Sequence, residues 1–112
     1  SDSMWCEGND KSDGSGEWVE WKFKSKQSIS TLNLNNGIGT SLPYFMKGNR
    51  LANATLQFGD GSTQTITVKN SMLPQKVTFS PVTTDSVKLT VDTISKGKEF
   101  DDVCLSEAYF SQ

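Results

Sequence analysis

Residues 17–23 read Glu17-Trp18-Val19-Glu20-Trp21-Lys22-Phe23. In an extended chain successive side chains point to opposite faces, so Val19, Trp21 and Phe23 fall together and Trp18, Glu20 and Lys22 fall opposite. That period of two is a strand with one buried face. The same period recurs outward from this stretch. Ile29–Asn35 (ISTLNLN) sets Leu32 and Leu34 on one face, and Leu51–Phe58 (LANATLQF) aligns Ala52, Ala54, Leu56 and Phe58. Thr63–Lys69 (TQTITVK) turns Ile66 and Val68 inward, and Lys76–Ser80 (KVTFS) offers Val77 and Phe79. Ser86–Ile94 (SVKLTVDTI) keeps Val87, Leu89 and Val91 in register, and Asp102–Phe110 (DVCLSEAYF) closes the chain.

The joints between these runs are turn chemistry. Gly59-Asp60-Gly61 between two alternating runs is a hairpin signal, and Lys96-Gly97-Lys98 is a second turn. Pro81 lacks an N–H and is expected to end its strand or confine it to a sheet edge. No stretch carries a helical period. About seven or eight short strands without helices predict an all-β fold, an antiparallel β-sandwich or barrel. No internal repeat or domain boundary breaks residues 1–112, so the chain reads as a single module. Its first strong strand starts only at residue 17, and the expectation is that an N-terminal strand belongs to a longer parent protein.

Composition narrows the function. The 112 residues carry 11 Lys+Arg against 13 Asp+Glu, a net charge of -2, and no histidine. Arg50 is the only arginine. A weakly acidic chain with one guanidinium is a poor nucleic-acid binder, because phosphate neutralisation needs a basic patch. Without imidazole there is no Ser-His-Asp or Cys-His nucleophile system, and histidine-based zinc sites are excluded. No run has the length and apolarity of a membrane span, so membrane insertion is not expected. The count of 15 Ser, 11 Thr, 7 Asn and 9 Gly suits strands joined by polar turns.

Four features carry candidate chemistry. The loop Asn9–Glu17 contains Asp10 and Asp13, candidates for a structural calcium ion, which needs six to eight oxygens. Lys11 stands where an EF-hand needs an oxygen ligand, and a strand follows rather than a helix, so an EF-hand is excluded and a solvated glycine-rich turn competes with any other calcium site. No organic cofactor is expected. Asp101, Asp102, Glu99 and Glu107 form an acidic group that could serve acid–base hydrolysis. Exposed charge at a turn, or an ion pair between Asp102 and Arg50, explains it as well, and no enzyme activity is expected. Trp5, Trp18 and Tyr44 fall outside the apolar faces. Each is either a stacking platform for a sugar ring or a plug for the end of a small core. Asn53-Ala54-Thr55 matches a glycosylation sequon but lies within a strand run, so it is read as chance.

Cys6 and Cys104 are the only cysteines. They are too few for a four-ligand zinc site. They form either two free thiols or one disulfide closing almost the whole chain, worth roughly 4–5 kcal/mol in the chain-entropy account.

The motifs also resemble a known family. Trp5-Cys6-Glu7-Gly8 followed by Gly14-Ser15-Gly16-Glu17-Trp18-Val19 is similar to its W-x-E-G and G-x-G-E-x-[IV] segments. Asn36-Gly37 with the later Asn49-Arg50 is similar to its N-G…N-R segment, and Phe100–Glu107 (FDDVCLSE) to its closing [YF]-D-D-[TV]-C-[IL]-S-E. The group is the discoidin-like, galactose-binding-like β-sandwich, nearest to the NADase-type glycan-binding (translocation) module. This chain departs from the pattern in lacking most of the first strand, in reading Asn36-Gly37-Ile38-Gly39 where an aromatic usually follows N-G, and in its adjacent Asn49-Arg50 pair. The resemblance implies a jelly-roll sandwich that binds a glycan or glycoconjugate through loops at one end, as an accessory to another domain of a secreted, periplasmic or cell-surface protein. On this chain that places the ligand on Asn36, Tyr44, Asn49, Arg50, Asp101 and Asp102. The alternative is a structural or protein-interaction domain with no small ligand.

Overall fold

The computed structural model describes residues 16–36, 50–71, 73–95 and 104–112 and the backbone of 5–6; at 36, 104, 106 and 107 too only the backbone is described. Six strands result: β1 (Trp5–Cys6), β2 (Trp18–Asn36), β3 (Arg50–Phe58), β4 (Thr63–Thr67), β5 (Gln75–Ser95) and β6 (Cys104–Ser111). All pairs are antiparallel, in the order β1-β6-β2-β5-β3-β4. No helix occurs among the described residues.

Strand length explains how one sheet becomes a sandwich. β2 has 19 residues and β5 has 21. At about 3.3 Å per residue either would run beyond roughly 60 Å if straight, yet the longest dimension of the molecule is 39 Å. Both strands therefore fold over. Trp18–Lys22 pairs with Ser86–Thr90, the register shifts, Gln27–Ile29 pairs with Val82–Thr84, the register shifts again, and Thr31–Leu34 pairs with Gln75–Thr78. Bulges bend and twist a strand locally, and these two crease the β2–β5 ribbon. One layer holds the first half of β2, the second half of β5, β3 and β4. The facing layer holds the remaining halves with β6 and β1. Ring contacts bridge the layers. Trp21 meets Phe110 edge-on at 5.0 Å, although Phe110 pairs with Leu32, which would lie roughly 35 Å from Trp21 along a straight strand. Phe79 of the second layer stacks on Phe58 of the first at 5.8 Å.

The alternation read from sequence fills the space between the layers. Leu32, Leu56, Val87 and Leu89 are all 0% exposed, and full burial of such a side chain stabilises by about 1.5–3 kcal/mol. Ile66, Val68 and Val91 join them, with Val19, Trp21, Phe23, Val77 and Phe79 packed around the margin. Two expectations need correction. The pairs of runs at 17–23 and 29–35, and at 76–80 and 86–94, are single creased strands, so the described residues form six strands and these four runs make two of them. Pro81 does not end its strand, but it does lie at an edge: Gln75–Thr84 of β5 pairs with β2 alone and borders the second layer, and Pro81 stands between Thr78 and Val82, where that ladder is interrupted at the Ile29/Thr31 shift. A third bulge in β3, between Leu51 and Ala54, buries Leu51 completely and leaves Ala52 half-buried, which displaces Ala52 from the apolar face expected for it.

The expected hairpin joins β3 to β4. The Phe58 N–H donates to the Ser62 carbonyl at 2.9 Å, and Gly61 takes the left-handed φ of +88° that a side chain would resist. The Asp60 carboxylate accepts from the Ser62 N–H at 2.9 Å and the Ser62 hydroxyl at 2.6 Å. This turn abuts the crease: the Gly59 N–H donates to the buried Thr84 hydroxyl at 2.9 Å, and that hydroxyl donates to the Ser86 carbonyl at 2.9 Å. A Cβ on Gly59 would lie 2.6 Å from the Asp85 Oδ1.

Candidate functional site

Folding the ribbon fixes which segments share an end of the sandwich. The crease end carries the β3–β4 turn. At the other end β2 finishes at Asn36, opposite Leu105 of β6, and β3 starts at Arg50, opposite Ser95 of β5. β5 begins there too, at Gln75 opposite Leu34. The segments 37–49 and 96–103 leave and enter at this end.

A groove of about 190 Å³ opens there on the outer face of the second layer, lined by Asn33, Leu34, Asn35, Pro74, Gln75, Lys76 and Tyr109. Tyr109 and Asn33 are direct cross-strand partners, and Lys76 faces Asn33 from the other side. Phe110 turns into the core, so its neighbour Tyr109 turns out and keeps 50% exposure. The Asn33 carboxamide is buried and fixed: its Nδ2 donates to the Ser111 hydroxyl at 2.8 Å and to the Tyr109 carbonyl at 3.3 Å. Gln75 braces the floor by pairing with the Lys69 backbone, donating from Nε2 to the carbonyl at 3.0 Å and accepting the Lys69 N–H at Oε1 at 2.9 Å. That clamp holds the segment that carries Pro74 across from β4. The result is an aromatic face beside Asn35 and the ammonium of Lys76, on strands rather than on a loop. At this volume it is shallow beside the roughly 300–1,000 Å³ of deep ligand pockets.

Arg50 is 2% exposed at the head of β3, and its Nε donates to the Asn70 Oδ1 at 3.1 Å. Burial pushes the guanidinium pKa below its ordinary value. It braces the segment after β4 from inside. Asn36 is placed by its backbone at the same end. Tyr44, Asn49, Asp101 and Asp102 lie outside the described residues, as do the calcium candidates Asp10 and Asp13. Glu107 is opposite Asn35 in the β2–β6 register. Cys6 and Cys104 face each other in the β1–β6 register, their side chains outside the description.

Of the aromatics picked out in sequence, Trp18 is 53% exposed on the outer face of the first layer, with the Lys88 Nζ 4.5 Å from its ring centroid. It plugs no core. The Asn53 carboxamide of the sequon is spent within the sheet, donating to Thr67 Oγ1 at 3.0 Å and accepting from Thr93 Oγ1 at 2.6 Å. A polar hollow at the crease, about 220 Å³, is lined by Lys26, Gly59, Asp60, Thr83, Thr84 and Asp85. Among the described residues no three metal-binding side chains cluster.

Sequence reasoning missed Tyr109, Asn33 and Asn35. The signal was present: in ISTLNLN the asparagines alternate with the buried leucines, and in Ala108-Tyr109-Phe110 the tyrosine takes the outward position.

The sequence profile of the NAD glycohydrolase translocation F5/8 type C domain matches residues 1–111. The chain belongs to this family. Among solved structures, the fold is similar to the NMR structure of the Streptococcus pyogenes NAD+-glycohydrolase translocation domain, with a TM-score of 0.64 and 25% identity over 90% of this chain and 91% of that one. No curated protein matches the chain significantly. The discoidin-like sandwich expected from the sequence motifs is thus the fold, and this translocation-domain chain is an accessory module.

Proposed function

We propose that this domain is a non-catalytic glycan-binding module, and that it binds at the loop end through the Tyr109 groove. The observation that carries the reading is the half-exposed Tyr109 ring held beside Asn35 and Lys76 by rigid strands. An aromatic face covers the C–H face of a pyranose, and amide and ammonium groups bond its hydroxyls. Asn36, Tyr44, Asn49, Arg50, Asp101 and Asp102 are the further ligand contacts this reading assigns. The ligand is a glycan or glycoconjugate outside the cytoplasm, and catalysis belongs to a partner domain. On so shallow a surface a single site binds weakly, roughly 10 µM to 1 mM, so retention relies on several contacts at once.

The test is a glycan array followed by calorimetric titration of the best hit. Tyr109→Ala is expected to weaken binding at least tenfold while its circular dichroism stays that of the parent. An array with no glycan retained, or undiminished binding by Tyr109→Ala, overturns the reading. One observation favours a protein-docking role instead: Leu73, beside the groove, is 67% exposed, an apolar side chain with no sugar chemistry. A pull-down partner lost on Leu73→Ser, with an empty array, would select that role.

A further inference from the structure

We infer that Cys6 and Cys104 form a disulfide that staples β1 to the sheet edge at the loop end. The two are direct register partners in the antiparallel β1–β6 pair, next to Trp5 and Leu105. Facing residues of an antiparallel ladder lie on the same face, with Cα atoms about 4.5–5.5 Å apart. A disulfide spans about 4.4–6.8 Å. The chain has two cysteines in 112 residues, 98 positions apart (104 − 6), and the fold sets them opposite each other. Leu105 is fully buried and is also the register partner of Asn36, so the tie reaches the end of β2 through one residue. This inference does not rest on the glycan reading.

The chemistry is thiol–disulfide exchange with an external disulfide, either a small-molecule disulfide or an oxidised dithiol protein. One cysteine thiolate attacks the external disulfide, forms a mixed disulfide and expels one external thiolate. The second cysteine thiolate attacks the first cysteine's Sγ in that mixed disulfide, closes the Cys6–Cys104 bond and expels the other external thiolate. The chain loses two protons and two electrons, and the external disulfide is reduced to two thiols.

The experiment equilibrates the whole chain in a glutathione buffer holding equal concentrations of thiol and disulfide. It is then quenched in acid and alkylated in denaturant, and the intact mass and a non-reducing digest are read. The expected product is a monomer two hydrogens lighter than the reduced chain, unalkylated, with one linked peptide pair containing Cys6 and Cys104. Reduction is expected to lower the melting temperature by about 10 °C or more. Two alkylated cysteines, two glutathione adducts, a disulfide-linked dimer, or a melting temperature indifferent to reduction would each overturn the inference. Cys6→Ser is expected to carry one glutathione on Cys104. Because every deciding readout is made on the wild-type chain, a poorly folding variant does not blunt the test.

Discussion

If one creased ribbon makes both layers, Trp21 and Phe110 must be energetically coupled. Their rings meet edge-on at 5.0 Å with planes 89° apart, and they come from different layers. Both rings are half-buried. Replacing either by Leu should cost about 1–2 kcal/mol, because Leu leaves a smaller void than Ala. Edge-to-face pairs contribute about 0.5–1.5 kcal/mol beyond area burial. The double variant Trp21→Leu/Phe110→Leu should therefore lose about 1 kcal/mol less than the sum of the two single losses. Urea unfolding of the four proteins, followed by far-ultraviolet circular dichroism and fitted with one common slope, measures this difference. Trp18→Leu is the control: its ring is 53% exposed on an outer face, so the change should stay within about 0.5 kcal/mol. Residues far apart on a flat sheet give additive losses. A coupling below about 0.3 kcal/mol would refute the folded-ribbon account.

Two further outcomes follow from the crease and its turn. Thr84→Val keeps shape but removes the hydroxyl that accepts the Gly59 N–H and bonds the Ser86 carbonyl. It should cost about 1–3 kcal/mol in chemical denaturation, and an unchanged midpoint would show that water replaces those bonds without loss. The Asp60 pKa is held below its ordinary value, chiefly by the Ser62 hydroxyl and then by the Ser62 N–H. A depressed folded pKa adds stability that is complete above the unfolded value and fades as pH falls through the folded one. The melting-temperature advantage of wild type over Asp60→Asn should therefore be constant near neutrality and shrink below about pH 4. An advantage indifferent to pH would contradict the role of the carboxylate.

The layers were legible because burial alternates with the chain. Leu32, Leu34, Val87, Leu89 and Val91 all point where their period put them. The creases were hidden. Lys24-Ser25-Lys26-Gln27-Ser28 reads as a loop because every side chain is polar, yet its backbone remains strand. An exposed bend and an exposed loop have the same composition. Only the pairing of Gln27 and Ser28 with Thr84 and Thr83 separates them, and that partner lies far along the sequence. The same limit hid the groove. Tyr44 drew notice because it interrupts a polar stretch, whereas Tyr109 fits its strand's alternation without any break. What sets Tyr109 apart is having Asn33 opposite, 76 positions away (109 − 33), a neighbour that topology alone supplies.

Since β2 and β5 each serve both walls of the sandwich, neither wall is a free-standing piece. Melting one bares the apolar face of the other and frees one half of both long strands, so local loosening has no natural boundary at which to stop. A chain of this size can then hold a shallow surface site rigid without a large interior, and it gives way all at once rather than wall by wall.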